Sequence, residues 1–187
     1  MGYLGGKSDM LGLRFVEIWA NVPFLYMVII LVSVMPGGWG IGWQVSSLLI
    51  IMVLFSWTGM TYYIRASVYK EKARDYISAA KVIGAGPFRI VFKHLLPNVV
   101  STLVTFAPFT IAAAISSITA LDFLGYGLPP PSPSWGELLK QGVNNLRTAP
   151  WIVTSTVTAL VLTLTLVTFV GEAIREAKKK KKFSIYE

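Results

Sequence analysis

The chain has 187 residues, of which 54% are apolar, 13% aromatic and only 14% charged, and its formal net charge is +8. A soluble globular chain carries about 25% charged residues, so this one has too few to cover a water-facing surface. The absence of cysteine excludes disulfide frameworks, thiolate metal sites, iron–sulfur clusters and cysteine nucleophiles. A multi-histidine metal site is excluded as well, because His94 is the only histidine.

Four apolar segments are long enough to cross a bilayer, which takes about 20 helical residues. They are residues 19–35, 41–64, 99–121 and 151–170. The fourth segment alternates threonine with apolar residues, as a strand does, but an isolated strand cannot satisfy its backbone in lipid. Buried helices of a soluble protein are the alternative, and they would need a polar shell that this chain lacks. We therefore predict an all-α integral membrane protein with four spans.

The basic residues predict the orientation of these spans. Fifteen of the 17 lysines and arginines lie in residues 1–18, 65–98 and 171–187, and the other two lie in 122–150. By the positive-inside rule both termini are cytoplasmic, 122–150 is an extracytoplasmic loop and 171–187 is a basic cytoplasmic tail. The run Lys178–Lys182 predicts an anchor on the membrane lipid surface. An RNA-binding tail is the alternative, but topology already explains the charge, so we expect no nucleic-acid partner.

The cytoplasmic segment 65–98 contains a predicted amphipathic helix over residues 73–83. Its apolar face comprises Tyr76, Ile77, Ala80 and Ile83. Residues 84–87, Gly-Ala-Gly-Pro, are expected to end it, because glycine favours helix ends and proline cannot continue a helix. A second helical piece, 88–96, leads through Pro97-Asn98 into the third span. A short helix held off the membrane by a turn suits the docking of another protein.

This segment resembles the EAA loop of ABC importer permeases. The family pattern is Glu-Ala-Ala, three residues, Gly, nine residues and then Ile-x-Leu-Pro. This chain has the same spacing, with Ser78-Ala79-Ala80, three residues, Gly84, nine residues and then His94-Leu95-Leu96-Pro97. Ser78 stands where the family usually has glutamate, so a role for that carboxylate does not transfer. His94 stands at the isoleucine position, where histidine is common in the peptide subfamily.

Further segments extend the resemblance over the whole chain. The dipeptide/oligopeptide subfamily has segments similar to residues 5–23, 121–130, 134–137, 149–151 and 171–177. The segment 121–139 most resembles the Yej-type permeases, which are implicated in importing peptides and microcin C. The resemblance implies a transmembrane type-1 (MetI-like) helical bundle, a single domain over 1–187, in a bacterial inner membrane. Such permeases usually have six spans, so we expect this chain to lack the first two.

The resemblance also implies a mechanism and partners. A separate ATPase subunit would receive the coupling loop 71–97, and substrate would arrive from a periplasmic or lipid-anchored binding protein. The chain has no Walker loop, so ATP and Mg belong to the ATPase and no cofactor or catalytic residue is expected here. A second permease subunit, a different chain, would complete the pore. The expected coupling residues are Arg74, Asp75, Ser78, Ala79, Ala80, Gly84, Leu96 and Pro97, with Lys81 as a further polar flank.

Two other interpretations remain open in the sequence. A truncated permease would insert and pair with partner subunits without transporting. An intramembrane enzyme would need paired aspartates, a Ser/His pair or metal ligands inside the spans, and the spans contain none of these. Asp122, at the outer end of the third span, either marks a substrate path or is a solvated loop acid.

Overall fold

The computed structural model describes residues 1–34, 40–128 and 131–183, and over these ranges it is helical with no strand. The prediction of an all-α protein is confirmed, and the alternating threonines of 151–170 lie in a helix. The predictions that fall on Met35, on the turn at 36–39, on Pro129 and Pro130 and on residues 184–187 lie outside the described residues. The elements are α1 (Gly6–Ala20), α2 (Phe24–Val34), α3 (Ile41–Lys72), α4 (Asp75–Val82), α5 (Pro87–Arg89), a π-helix (Ile90–Leu95), α6 (Leu96–Leu124), α7 (Trp135–Asn144) and α8 (Pro150–Phe183).

Three helical stretches in the described ranges are long and apolar enough to cross a membrane: Ile41–Lys72, Pro87–Leu124 and Pro150–Ala177. A fourth is available if α1 and α2 together form one broken span. The sequence places the first span at 19–35, but the chain is not helical across 21–23, where Pro23 precedes α2. Trp19 therefore belongs to α1, a helix that the sequence analysis did not predict.

Two compact units make up the chain, one formed by Met1–Phe24 and Val53–Thr105 and the other by Leu25–Met52 and Phe106–Glu187. In the first unit, aromatic residues join α1 to α3. The Trp19 indole nitrogen donates to the Leu54 carbonyl over 2.7 Å, and the Phe15 and Trp57 rings stack with centroids 6.3 Å apart. The Ser67 and Thr102 hydroxyls are 3.0 Å apart and link α3 to α6.

In the second unit α7 lies between the end of α6 and the start of α8. A Cβ at Gly136 would overlap the Thr119 carbonyl, and one at Gly142 would lie 2.7 Å from the Val153 side chain. The α7 backbone therefore approaches its neighbours as closely as only glycine permits. Ser134 caps the N-terminus of α7, since its side-chain oxygen accepts a 3.1 Å hydrogen bond from the Glu137 N–H.

Asp122 is buried rather than solvated, with 4% of its surface exposed. Its Oδ1 accepts a 2.7 Å hydrogen bond from the Leu128 N–H, which holds the turn after α6 against the end of that helix. The expectation of a solvated loop acid is wrong, because this turn folds back over the carboxylate.

The helix that contains the predicted third span, 99–121, begins before that span, at Pro87. The helix runs without a break from Pro87 to Leu124, so Pro97 does not start it. Proline lacks an N–H and normally disrupts a helix interior. Here the preceding turns are π-helical, and the Leu96 N–H bonds to the Val91 carbonyl five residues back. The wider π turn changes the hydrogen-bonding register just before Pro97, which lets the helix continue.

Candidate functional site

The candidate site is the loop between α3 and α6, and its first element is α4. Asp75 lies in the first turn of α4 and Lys81 in the last, where each charge complements the helix dipole. The helix ends at Val82, and the chain turns at Gly84, whose φ is +85°. The Gly84 N–H donates to the Lys81 carbonyl and the Ala85 N–H to the Ala80 carbonyl, each over 3.0 Å. This pair of bonds is a Schellman motif, which favours glycine at the left-handed position.

The underside of the loop is an apolar cluster. Ile77 of α4 is fully buried and contacts Ile90 and Leu95, which are 1% and 2% exposed. Tyr3, Val68, Ala85 and Val91 pack around them. Burial of side chains of this size is worth about 1.5–3 kcal/mol each, so this cluster fixes α4 against the helix that follows it.

Other apolar side chains of the same loop are exposed. Val82 is 88%, Ile83 86% and Phe88 81% exposed, and we call these three residues the apolar tip. The sequence analysis placed Ile83 on one helical face with Ile77, but in the structure Ile77 is buried and Ile83 is exposed. Since α4 ends at Val82 and the chain turns at Gly84, Ile83 no longer follows the helical periodicity. Exposed apolar groups that flank a rigid turn are typical of a contact surface.

Polar side chains connect α4 to the ends of α3 and α6. The Tyr76 hydroxyl donates to Glu71 Oε2 over 3.0 Å, and Arg74 forms a 3.1 Å ion pair with the same oxygen. Burial raises the pKa of the Tyr76 hydroxyl above its ordinary value, and its hydrogen bond to the Glu71 carboxylate raises it further. The Tyr76 and His94 ring centroids are 6.4 Å apart, which gives the lone histidine a structural neighbour.

The predicted coupling residues fall into two groups. Those on α4 and its flanks lie on one short element, with Ser78, Ala79 and Gly84 exposed and Ala80 half-buried. Arg74 precedes α4 and Asp75 begins it. Leu96 and Pro97 lie instead in the first turn of α6, where both are exposed.

Sequence reasoning missed the apolar tip, Asn98 and the N-terminal segment. The helical periodicity predicted for 73–83 does not reveal the apolar tip, because the helix ends at Val82. A Ser-x-x-Glu pattern at 134–137 was available as a helix-start signal for α7 but was not used.

Comparison with known proteins identifies the family. Residues 1–181 match the family described as binding-protein-dependent transport system inner membrane component. The chain belongs to this family. This confirms the family resemblance that the sequence showed.

Individual relatives agree with the assignment. The peptidoglycan transport system permease protein YejE of Agrobacterium fabrum is 42% identical over 97% of this chain and 46% of that protein. The inner membrane ABC transporter permease protein YejE of Escherichia coli is 44% identical over 94% of this chain and 50% of its own length. The oligopeptide transport system permease protein OppC of Haemophilus influenzae is 33% identical over 96% and 56%. The chain thus spans about half the length of the curated relatives it matches.

Proposed function

We propose that this chain is a transmembrane permease component of an ATP-driven ABC importer for peptides. Family membership supports the transport role, and the names of the YejE and OppC relatives support ABC transport and an oligopeptide substrate. A substrate-binding protein would deliver the peptide and a second permease subunit would complete the pathway. Hydrolysis of ATP, with its Mg, would occur on a separate subunit. The charge distribution supports an orientation with both termini in the cytoplasm.

Coupling to the ATPase is proposed to occur through the loop 71–97. The observation that carries this proposal is the apolar tip. Three apolar side chains within and beside the turn at Gly84 are more than four-fifths exposed, while Ile77 of the same loop is buried in the apolar cluster. Such a surface gains free energy when a partner covers it, and a fixed conformation reduces the entropy cost of binding. Arg74, Asp75, Ser78, Ala79, Ala80 and Gly84 would form the polar and small-residue part of the contact, with Leu96 and Pro97 behind it.

The test is affinity capture of the ATPase subunit from detergent-solubilised membranes in which the tagged chain is co-expressed with its genomic neighbours. The double variant Val82→Asp, Ile83→Asp should lose capture, because it puts two charges on the contact surface. Ala79→Trp should also lose it, since Ala79 is exposed on a helix that accepts tryptophan without backbone strain. Gly84→Trp is a poorer probe, since a side chain at φ +85° distorts the turn itself.

Leu146→Asp is the matched control. Leu146 is an apolar residue, 53% exposed, that lies outside the loop, so this variant should capture the ATPase as wild type does. Undiminished capture by both tip and Ala79 variants, with normal membrane insertion, would contradict docking through this loop. If wild type captures no ATPase subunit, the proposed coupling function is wrong.

A further inference from the structure

An ion pair between buried Asp9 and half-buried Arg65 joins α1 to α3. Asp9, on α1, is 4% exposed. Arg65 Nε lies 3.0 Å from each of its two carboxylate oxygens, and the Tyr69 hydroxyl donates to the same carboxylate. The Arg65 guanidinium also lies over the Tyr69 ring, 4.8 Å from its centroid. Removing Arg65 would leave the buried Asp9 carboxylate without its ion-pair partner, which is unfavourable.

A second set of contacts continues toward the loop. Lys72 Nζ donates to the Tyr3 carbonyl over 2.8 Å, and its ammonium lies over the Tyr3 ring. Gly2 is buried against Val68, where an added Cβ would lie 3.4 Å from that side chain. Arg65, Val68 and Lys72 are spaced by three and four residues, so they share one face of α3. Residues 1–9 therefore run along the last two turns of that face.

The same segment reaches the core of the loop. Tyr3 and Val68 pack against the cluster formed by Ile77, Ile90 and Leu95. An open, mostly apolar groove of about 240 Å³ is lined by Tyr3, Val68 and residues of the π-helix. Because this groove is open, close packing does not by itself fix the position of the segment. The directional contacts of Asp9 and Lys72 do so instead.

We propose that residues 1–9 position the loop 71–97, with Asp9 and Arg65 as the positioning residues. The inference rests on the proposed function, because it assumes that an ATPase subunit contacts the apolar tip and adds that residues 1–9 hold the tip in position for that contact. A displacement of α4 would move Ile77 and change its packing against Tyr3. Because Asp9 and Arg65 tie the N-terminal segment to α3, both α1 and α3 would then respond to that displacement. The loop is thus connected to two elements rather than to the following span only.

The test uses the absence of cysteine in the chain, which allows a single label site. Val82→Cys, labelled with a nitroxide, reports the mobility of the loop in detergent or nanodiscs. Asp9→Asn and Arg65→Gln, each introduced separately, should raise the label mobility and weaken ATPase capture by the unlabelled chain by about fivefold or more, the lower end of typical coupling between sites. The exchange of charges in Asp9→Arg with Arg65→Asp should restore both readings at least in part.

Two controls separate positioning from general destabilisation. Glu17→Gln breaks the exposed 2.8 Å pair between Arg14 and Glu17 on the same helix and should change neither reading. A label at Leu146→Cys should stay unaffected by the Asp9 and Arg65 variants. An ordered label at position 82 in Asp9→Asn, or equal mobilisation at both label sites, would overturn the positioning role. Label mobility is measured without the ATPase. A wild-type chain that captures no ATPase would therefore contradict the proposed function but not the positioning role of Asp9 and Arg65.

Discussion

Asn98 donates a 3.1 Å hydrogen bond from its side-chain nitrogen to the hydroxyl of Tyr76, across 22 residues of chain. The same nitrogen donates to the His94 carbonyl over 2.9 Å, so the amide is held by its own helix. Tyr76 in turn donates to Glu71 at the end of α3. The first turn of α6 and the last turn of α3 are therefore linked through one side chain of α4.

Replacement of Tyr76 by phenylalanine should loosen α4 without unfolding the chain. The variant loses the bonds to Glu71 and Asn98, and a hydrogen bond contributes about 1 kcal/mol net. Amide hydrogen exchange in residues 75–82 should become severalfold faster. Tyr62→Phe is the control, since Tyr62 has similar exposure but lies in α3 away from the loop. Unchanged exchange in α4 would show that this link does not hold the helix.

The contribution of Tyr76 to stability should disappear only at strongly alkaline pH. Its pKa is raised in the folded chain, so the protonated hydroxyl is favoured there relative to the unfolded chain. The stabilisation is fully present below the ordinary tyrosine pKa of about 10 and is lost as the pH rises through the folded value. The phenolate absorbance of wild type minus that of Tyr76→Phe should therefore appear above pH 10. A difference titration at or below that pH would contradict the assignment.

The effect of a substitution at Gly84 on the stability of the turn should depend on how well the new residue tolerates a positive φ, and not on its size. A residue with a Cβ at positive φ costs about 1–2 kcal/mol, and asparagine tolerates this conformation better than alanine. Trypsin cleavage near Lys81 and Arg89 should be faster in Gly84→Ala than in Gly84→Asn, and slowest in wild type. Gly86→Ala should behave as wild type, because Gly86 has a φ of −68° and open space around it. Equal cleavage of the two Gly84 variants would mean that the Schellman turn is not limiting.

Gly136→Ala should destabilise the second unit. The new methyl group would meet the Thr119 carbonyl and would lie 2.6 Å from the Phe123 backbone nitrogen, so the helices must shift. Overpacking of this kind costs about 1–3 kcal/mol, measured as a lower thermal midpoint in detergent. Gly59→Ala, inside α3 with nothing within 4 Å, should be neutral or stabilising by up to about 1 kcal/mol. A midpoint in Gly136→Ala equal to that of wild type would refute the close approach.

The sequence predicts the position of the short helix in the loop, but not which of its apolar side chains are exposed. The amphipathic pattern and the Gly-Ala-Gly-Pro sequence at 84–87 located α4 and its end, because helix stop signals are local and depend on a few neighbouring residues. The exposure of Ile83 was not predictable from periodicity, since it depends on where the helix ends relative to the turn. Asp9 and Tyr3 gave no sequence signal as loop contacts, because their partners Arg65 and Ile77 lie 56 and 74 positions away along the chain.

The sequence by itself determined the all-helical class, the membrane-spanning character and the family, since these follow from composition, long apolar runs and a fixed motif spacing. Only the tertiary structure decided which side chains of the loop face outward, that Asp122 is buried, and that the helix from Pro87 passes through Pro97 without a break. Each of these depends on contacts or hydrogen-bond register between residues that local preference does not bring together. A carboxylate is exposed or buried according to whether another segment folds over it, and that is set by the packing of the helices.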